Sequence, residues 1–229
     1  MLGITQNTEY VLKRISVLPS LADFTLIGGT ALSLQINKRL SEDLDFCKWS
    51  SNIKTDKPEV NWPLLKKELE TTVKIEKTDI LDFTQINFVL NGVKVTFFAK
   101  QKNLSPVKNQ VKILNNINAA DIGAIGIMKT EVILRRSEFR DYYDIYSIVK
   151  EGKSIQGILS GASEYSNHTL KTKNALMFLL NSNNFSKDNS FKTLNPYYDV
   201  SSEEIQNFLQ NELLKENPRY LDFLKNKRV

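Results

Sequence analysis

Residues 26–30 read LIGGT, and residues 39–46 read RLSEDLDF. This stretch predicts a strand, a glycine turn, a helix and a second strand that carries Asp43 and Asp45. Alternate residues of a strand point to the same face, so the two carboxylates would lie side by side while Leu44 and Phe46 enter a core. Neighbouring carboxylates repel each other unless a cation or a proton lies between them. A divalent ion that prefers oxygen ligands, such as Mg²⁺, is the natural occupant.

The glycine turn supplies the second half of the pattern. Gly28 and Gly29 have no Cβ to keep an anion away from the backbone. They precede a predicted helix that begins near Thr30, and the N-terminal amides of a helix favour a phosphate. Carboxylates that can hold a metal, next to a turn that can hold phosphate, are what nucleotidyl transfer requires.

Two segments resemble known families. The spacing from Gly28-Gly29 to Asp43-Leu44-Asp45-Phe46 resembles the signature of the DNA polymerase β-like nucleotidyltransferase superfamily. A later segment resembles the later motifs of the AbiEii/AbiGii toxin family, and the residues that carry this likeness are Ala120-Asp121-Ile122, Lys129, Arg135-Arg136 and Arg140-Asp141-Tyr142-Tyr143-Asp144-Ile145-Tyr146. The resemblance covers roughly residues 10 to 150. It implies a nucleotidyltransferase domain followed by a helical domain, in a family whose members are mostly toxins of bacterial toxin–antitoxin and phage-abortive systems.

The resemblance also implies roles for individual residues. Catalysis would involve Asp43, Asp45, Lys129, Asp141 and Asp144, with Mg²⁺ held by Asp43 and Asp45. Nucleotide contacts would come from Gly28, Gly29, Thr30, Arg39, Ser41, Lys129, Arg136 and Arg140. Asp141 or Asp144 would orient Lys129 or Arg136, or act as a base. The helices that carry the later residues would then fold back over the sheet.

Several of these residues have a simpler interpretation. Arg39 and Ser41 could be ordinary loop residues, and Lys129 could be a solvated lysine, although its apolar neighbours indicate a packed helix that would require an anion beside it. Arg136 is preferred to Arg135 because position 136 falls on nearly the same helical face as Lys129. Arg140 could instead form a helix-stabilising pair with Asp144 four residues later. His168, the single histidine, is far from every motif and is interpreted as a surface residue.

One departure from the superfamily pattern concerns a third carboxylate. Many members supply it from a later strand, and here the strand around residues 93–98 offers Thr96 instead. Threonine cannot bind a metal as a carboxylate does. Three explanations stay open: two aspartates suffice, Asp141 or Asp144 completes the site, or the protein binds a nucleotide without turning it over.

Composition restricts the class of protein. The chain has 229 residues, 41% of them hydrophobic, which is enough for one large or two small domains. The single cysteine excludes an internal disulfide and favours a reducing, cytoplasmic location. Neither a signal peptide nor a membrane span is predicted. The net charge of +5 is compatible with a nucleic-acid partner.

The predicted fold is α/β (α+β), with a mixed-sheet nucleotidyltransferase core over residues 1–112 and a helical domain over residues 113–229. The metal-bearing strand is predicted over residues 43–48, and a hairpin turns at Asn91-Gly92. Residues 50–60 are predicted to form a loop, and residues 119–136 and 139–150 helices.

The predicted reaction is transfer of NMP from an NTP to an acceptor hydroxyl. The resemblance points to RNA, especially the tRNA 3′ end, as the acceptor, with a protein hydroxyl as another option, and to a cognate antitoxin as partner. Two alternatives remain: a small-molecule transferase of the antibiotic-modifying type, and a non-catalytic module that binds nucleic acid or an antitoxin.

Overall fold

The structure is a computed structural model that describes residues 1–49, 57–101, 104–133, 135–186 and 188–220. The chain divides into two compact units, Met1–Ile125 and Gly126–Val229. The sequence-based boundary lay earlier, between residues 112 and 113. The difference arises because the chain after residue 112 still adds a strand to the sheet of the first unit.

The first unit is built on a mixed sheet, as predicted. Among the described residues its strands are β1 (Thr25–Ile27), β2 (Leu44–Trp49), β3 (Ile75–Asp82), β4 (Gln85–Leu90), β5 (Val93–Lys100), β6 (Gln110–Leu114) and β7 (Ile117–Ala120). Their order across the sheet is β3-β4-β5-β2-β1-β7-β6. Strand β2 runs parallel to β5 and β1 runs parallel to β7, whereas the other neighbours are antiparallel.

Helices α1 (Gln6–Ile15), α2 (Gly28–Ile36) and α3 (Trp62–Leu69) belong to the same unit, and α4 (Ile122–Val132) begins in it. The Thr5 side chain caps α1, and the Asn61 side chain caps α3 ahead of a proline in its first turn. The apolar stripe of α1 is buried, which ties this helix to the core of the unit.

One face of the sheet is an aromatic core. The ring of Phe97 on β5 stacks on Phe46 of β2 at 5.3 Å between centroids, and it meets Phe24 and Phe88 edge-on. Since alternate strand residues point to opposite faces, Asp45 on β2 belongs to the other face. This separation of faces, predicted from Leu44 and Phe46, places the polar residues of β2 away from the core.

The local predictions had different outcomes. The Asn91-Gly92 hairpin is confirmed, with both residues at positive φ. The strand predicted from Asp43 begins one residue later, at Leu44. The helix predicted from residue 119 begins at Ile122, because residues 117–120 form β7 and pair with β6. Of the loop predicted over residues 50–60, residues 50–56 lie outside the described part of the chain.

The second unit is helical, as predicted. It contains α5 (Phe139–Lys150), α6 (Ile155–Tyr165), α7 (Thr172–Leu179) and α8 (Ser202–Glu216). Helix α5 is its centre, with a continuous buried run from Asp141 to Val149. The Glu216 carboxylate accepts hydrogen bonds from the first amides of α6, which fastens the end of α8 to that helix. Within the described residues, none of the helices is both long and apolar enough to cross a membrane.

Candidate nucleotidyl-transfer site

The glycine turn lies directly against an aspartate. Gly28 has a φ of +73°, a conformation that favours glycine, and a Cβ on it would lie 2.8 Å from Oδ2 of Asp45. Helix α2 begins at this turn, and the residue before it, Ile27, provides no side-chain cap for the first amides. A phosphate at the helix N-terminus would therefore lie close to the carboxylate of Asp45.

The second glycine makes room for a buried arginine. A Cβ on Gly29 would lie 2.6 Å from Nη2 of Arg39 and 3.1 Å from Oγ of Ser41. The Arg39 side chain is buried, and its Nη1 donates to the Leu40 carbonyl at 2.8 Å. Both residues predicted to contact the nucleotide are thus packed on the glycine turn and are not solvated loop residues.

Thr30 fastens the two halves of the motif together. Its hydroxyl donates to the carbonyl oxygen of Asp43 and lies within hydrogen-bond distance, 2.9 Å, of the Ser41 hydroxyl. The residue is almost fully buried. The start of α2 and the chain leading into β2 are therefore held in one arrangement, with Thr30 serving as a link within the protein.

A support that sequence reasoning missed comes from the first residues of the chain. Residue Ile4 forms a parallel bridge with Ser41, through hydrogen bonds from the Ser41 amide to the Gly3 carbonyl at 3.0 Å and from the Thr5 amide to the Ser41 carbonyl at 3.2 Å. Gly3 has a φ of +81°, and a Cβ there would lie 2.2 Å from the backbone oxygen of Ser33. Glycine at position 3 is the one sequence signal that could have indicated this close approach.

The two aspartates differ in exposure. Asp43 is exposed and immediately precedes β2, whereas Asp45 is half-buried within the strand. The part of the chain that the structure describes contains no cluster of three or more His, Cys, Asp or Glu side chains that could hold a metal. Two carboxylates nevertheless fit Mg²⁺, which is commonly held by one or two carboxylates together with substrate phosphates and water.

Thr96 occupies the strand position at which the superfamily pattern predicts a third carboxylate. On β5 its Cα is paired with that of Asp45 on the parallel strand β2. Paired residues of neighbouring strands point to the same face, so the Thr96 side chain lies beside Asp45. The sheet therefore places a buried alcohol, 2% exposed, next to the carboxylate of Asp45.

A second group of predicted residues meets inside the helical unit. Nζ of Lys129 lies 2.7 Å from Oδ1 of Asp141 and 2.9 Å from Oδ2 of Asp144. The exposed fractions of these three side chains are 7%, 0% and 1%. Nε of Arg136 lies 2.9 Å from Oδ2 of Asp141. We call these four residues the buried charge cluster; it contains two cations and two carboxylates, and Arg136, with a side chain that is 50% exposed, forms its outer edge. The anion that a packed Lys129 requires is thus supplied by the protein.

The path by which Arg136 reaches this cluster differs from the prediction. Helix α4 ends at Val132, so Arg136 does not share a helical face with Lys129. It reaches Asp141 from beyond the helix end, while Asp141 and Asp144, three residues apart on α5, lie on one face. Arg135 pairs with Glu131, so of the two neighbouring arginines it is Arg136 that contacts Asp141.

Arg140 lies outside the buried charge cluster. Its Nε donates to Oδ2 of Asp188 at 2.7 Å, and Glu138 lies 3.5 Å away, so the alternative pairing with Asp144 is not formed. Burial opposes the ionisation of Asp188, but the hydrogen bonds from Arg140 and Ser190 and the arginine charge outweigh it. The pKa of Asp188 therefore lies below its usual range.

Three known bacterial proteins are similar to this chain in sequence or structure. An uncharacterised protein of Aquifex aeolicus, aq_aa25, is 22% identical over 221 residues, which are 93% of this chain and 97% of that protein. A candidate nucleotidyltransferase from H. pylori has a TM-score of 0.54 at 17% identity, over 92% of this chain and 96% of its own. JHP933 from Helicobacter pylori has a TM-score of 0.53 at 18% identity, over 97% and 99%. These structures show a shared fold.

The family is shown by the sequence itself. The model of the nucleotidyl transferase AbiEii toxin family, which belongs to type IV toxin–antitoxin systems, matches residues 10–227. The match spans the glycine turn, the aspartates of the first unit and the buried charge cluster of the second. This chain therefore belongs to the AbiEii nucleotidyltransferase toxin family.

Proposed function

We propose that the protein transfers NMP from an NTP to a hydroxyl of an RNA acceptor, with the tRNA 3′ end as the first candidate, and that this transfer is the toxic activity. The observation that carries the proposal is the contact of Gly28 with Asp45, which brings a phosphate-accepting helix start next to a carboxylate. The triphosphate would lie along the first turn of α2, and the acceptor hydroxyl would attack the α-phosphorus as pyrophosphate leaves.

Asp43 and Asp45 would hold Mg²⁺ in this proposal. When bound, the ion would neutralise phosphate charge and lower the pKa of the attacking hydroxyl. The guanidinium of Arg39, which packs on Gly29, would support the phosphates through its position behind the turn.

The buried charge cluster is proposed to be necessary for transfer as well. Its members are the positions that match the later family motifs, and its two cations suit phosphate binding. In the free protein Lys129 is bonded to Asp141 and Asp144, so these carboxylates would orient it for nucleotide binding.

A cognate antitoxin is expected for a member of this toxin family. We also infer a cytoplasmic location, because a single cysteine, Cys47, cannot form an internal disulfide and suits a reducing compartment.

The test is incubation of the protein with each radiolabelled NTP, Mg²⁺ and total tRNA, followed by separation on a denaturing gel. We expect one NTP to label RNA, with release of pyrophosphate. The Asp45→Asn variant should reduce the rate by about a hundredfold or more, because it removes a charge worth several kcal/mol in the transition state. The Glu42→Gln variant, which alters an exposed neighbouring carboxylate, should be as active as the natural protein.

A second candidate is favoured by Thr96. The alcohol beside Asp45 in place of a carboxylate fits a protein that binds a nucleotide without turning it over. Calorimetry of NTP binding, combined with the transfer assay above, would distinguish the two functions. Metal-dependent NTP binding, with neither pyrophosphate release nor labelling of any acceptor, would support the non-catalytic function and contradict the transferase.

A further inference from the structure

A polar row crosses the sheet on the face that carries Asp45. The Cα of Asp45 on β2 is paired with that of Thr96 on β5, and Thr96 is paired with Asn87 on β4. Paired residues point to one face of a sheet, so the three side chains stand in line. At a strand spacing of about 4.8 Å, the Cα of Asn87 lies ~10 Å from that of Asp45. The apolar neighbours of this row, such as Phe88 and Phe97, point to the opposite face.

The two sides of Asp45 differ in what they can bind. On one side is β1, where Ile27 is paired with Asp45 and leads into the glycine turn. On the other side is β5, with Thr96 and then Asn87. In phosphoryl transfer the attacking and leaving oxygens lie roughly in line on opposite sides of the phosphorus. If pyrophosphate leaves along the glycine turn, the attacking hydroxyl arrives from the side of Thr96 and Asn87.

The chemistry of Asn87 fits a hydroxyl ligand. The residue is half-buried, but its Oδ1 is fully buried and has no hydrogen-bond partner within the described part of the chain. A buried amide oxygen without a donor is uncommon in proteins and calls for an explanation. Rotation of the amide group exchanges its acceptor and donor ends, so the side chain can accept from one hydroxyl and donate to another.

We propose that Thr96 and Asn87 form the acceptor subsite, and that Asn87 binds the hydroxyl neighbouring the one that attacks. The ligand class is a vicinal diol, as in a terminal ribose. This inference rests on the proposed RNA acceptor, and it makes Asn87 the residue that distinguishes ribose from deoxyribose. Both groups in the subsite are neutral, so they would position the acceptor by hydrogen bonds.

The test is binding of two 5′-fluorescent RNA oligonucleotides, measured by anisotropy with the full chain. They are identical except that one ends in ribose and the other in 2′-deoxyribose. We expect the natural protein to bind the ribose end roughly three- to tenfold more tightly, as for one neutral hydrogen bond. Asn87→Leu should abolish this preference, and Thr96→Val, an isosteric change, should reduce it. Asn118→Leu alters a half-buried asparagine of β7 in the same sheet and should retain it.

The outcomes separate this inference from the proposed function. A natural protein without a preference, or a preference that survives in both Asn87→Leu and Thr96→Val, would overturn the subsite even if RNA is labelled in the transfer assay. A preference that only the subsite variants lose would support it even if no transfer occurs. If Asn87→Leu does not fold, the Thr96→Val result decides, since an unchanged preference there contradicts the proposal.

Discussion

The two units handle charge in opposite ways. In the first, Asp43 is exposed, and Asp45 is half-buried and lies close against Gly28 of the glycine turn. In the second, Lys129 is bonded at 2.7 and 2.9 Å to two aspartates that are almost wholly buried. The carboxylates of the first group are exposed or half-buried, whereas the second group pairs Lys129 with two aspartates inside the fold.

Charged residues that match the motifs of one family can therefore contribute to different free energies. An exposed carboxylate adds little to stability, so its substitution should be seen in ligand binding and rate. A buried, paired charge leaves an uncompensated partner when it is removed, so its substitution should be seen first in the free energy of unfolding.

The largest effect on stability is expected in the buried charge cluster. Asp144→Ala would leave Lys129 with one carboxylate fewer in a buried position and should lower the free energy of unfolding by about 3–5 kcal/mol. Urea denaturation measures the change, with Asp199→Ala, an exposed aspartate of the same unit, as the matched control. A variant as stable as the natural protein would show that this cluster does not depend on its internal pairing.

The exposed aspartate should behave in the opposite way. Asp43→Asn should leave the free energy of unfolding within about 0.5 kcal/mol, because the residue is exposed, while nucleotidyl transfer falls by about a hundredfold. Parallel urea and transfer measurements give both numbers for one preparation. Full activity in this variant would remove Asp43 from the site, and a large loss of stability would contradict the comparison.

The glycine turn should show a moderate effect. Gly29→Ala would place a methyl group 2.6 Å from Nη2 of Arg39, which must then move, and we expect the KM for NTP to rise about tenfold through one weakened phosphate contact. Gly123→Ala, near the start of α4, would meet only Oδ1 of Asp121 at 3.1 Å and serves as the control. Equal KM values for both variants would argue against a phosphate at the turn.

The smallest effect concerns the pair of Arg140 and Asp188. Because the folded pKa of Asp188 is lowered, its contribution to stability is present above the unfolded pKa of about 4 and is lost as the pH falls through the folded value. Asp188→Asn should therefore lower stability by about 1 kcal/mol at pH 7, with the difference from the natural protein shrinking as the pH drops below about 4. Urea titrations at several pH values between 3 and 7 would reveal a pH-independent difference if the pair is unimportant.

The sequence predicts those features that depend on local residue chemistry. The Asn91-Gly92 turn was predictable because both residues tolerate positive φ, and the turn at Gly28 was predictable for a related reason. The pairing of β6 with β7 was missed because Ala119 and Ala120 resemble the start of the helix that follows. An alternation of Val111 and Ile113 before Asn115-Asn116 is the weak signal that could have indicated this hairpin.

Features that depend on distant contacts were not predictable. The meeting of Arg136 with Asp141 does not follow from helical spacing, because α4 ends at Val132 and the connecting chain sets the geometry. The pairing of Arg140 with Asp188 joins residues 48 positions apart. The Asn91-Gly92 turn fixes Asn87 opposite Thr96, but the pairing of Thr96 with Asp45 joins strands far apart in the chain and does not follow from local residues.

The bridge between Ile4 and Ser41 has a practical consequence for anyone who purifies this protein. An affinity tag fused to Met1 would begin three residues before a backbone pairing that holds Ser41 beside Gly29. A bulky group attached to Met1 would displace the backbone of Ser41 and, with it, the proposed nucleotide site, while the rest of the unit stays folded. A tagged preparation that proves inactive should therefore be freed of its tag and assayed again before its activity is judged.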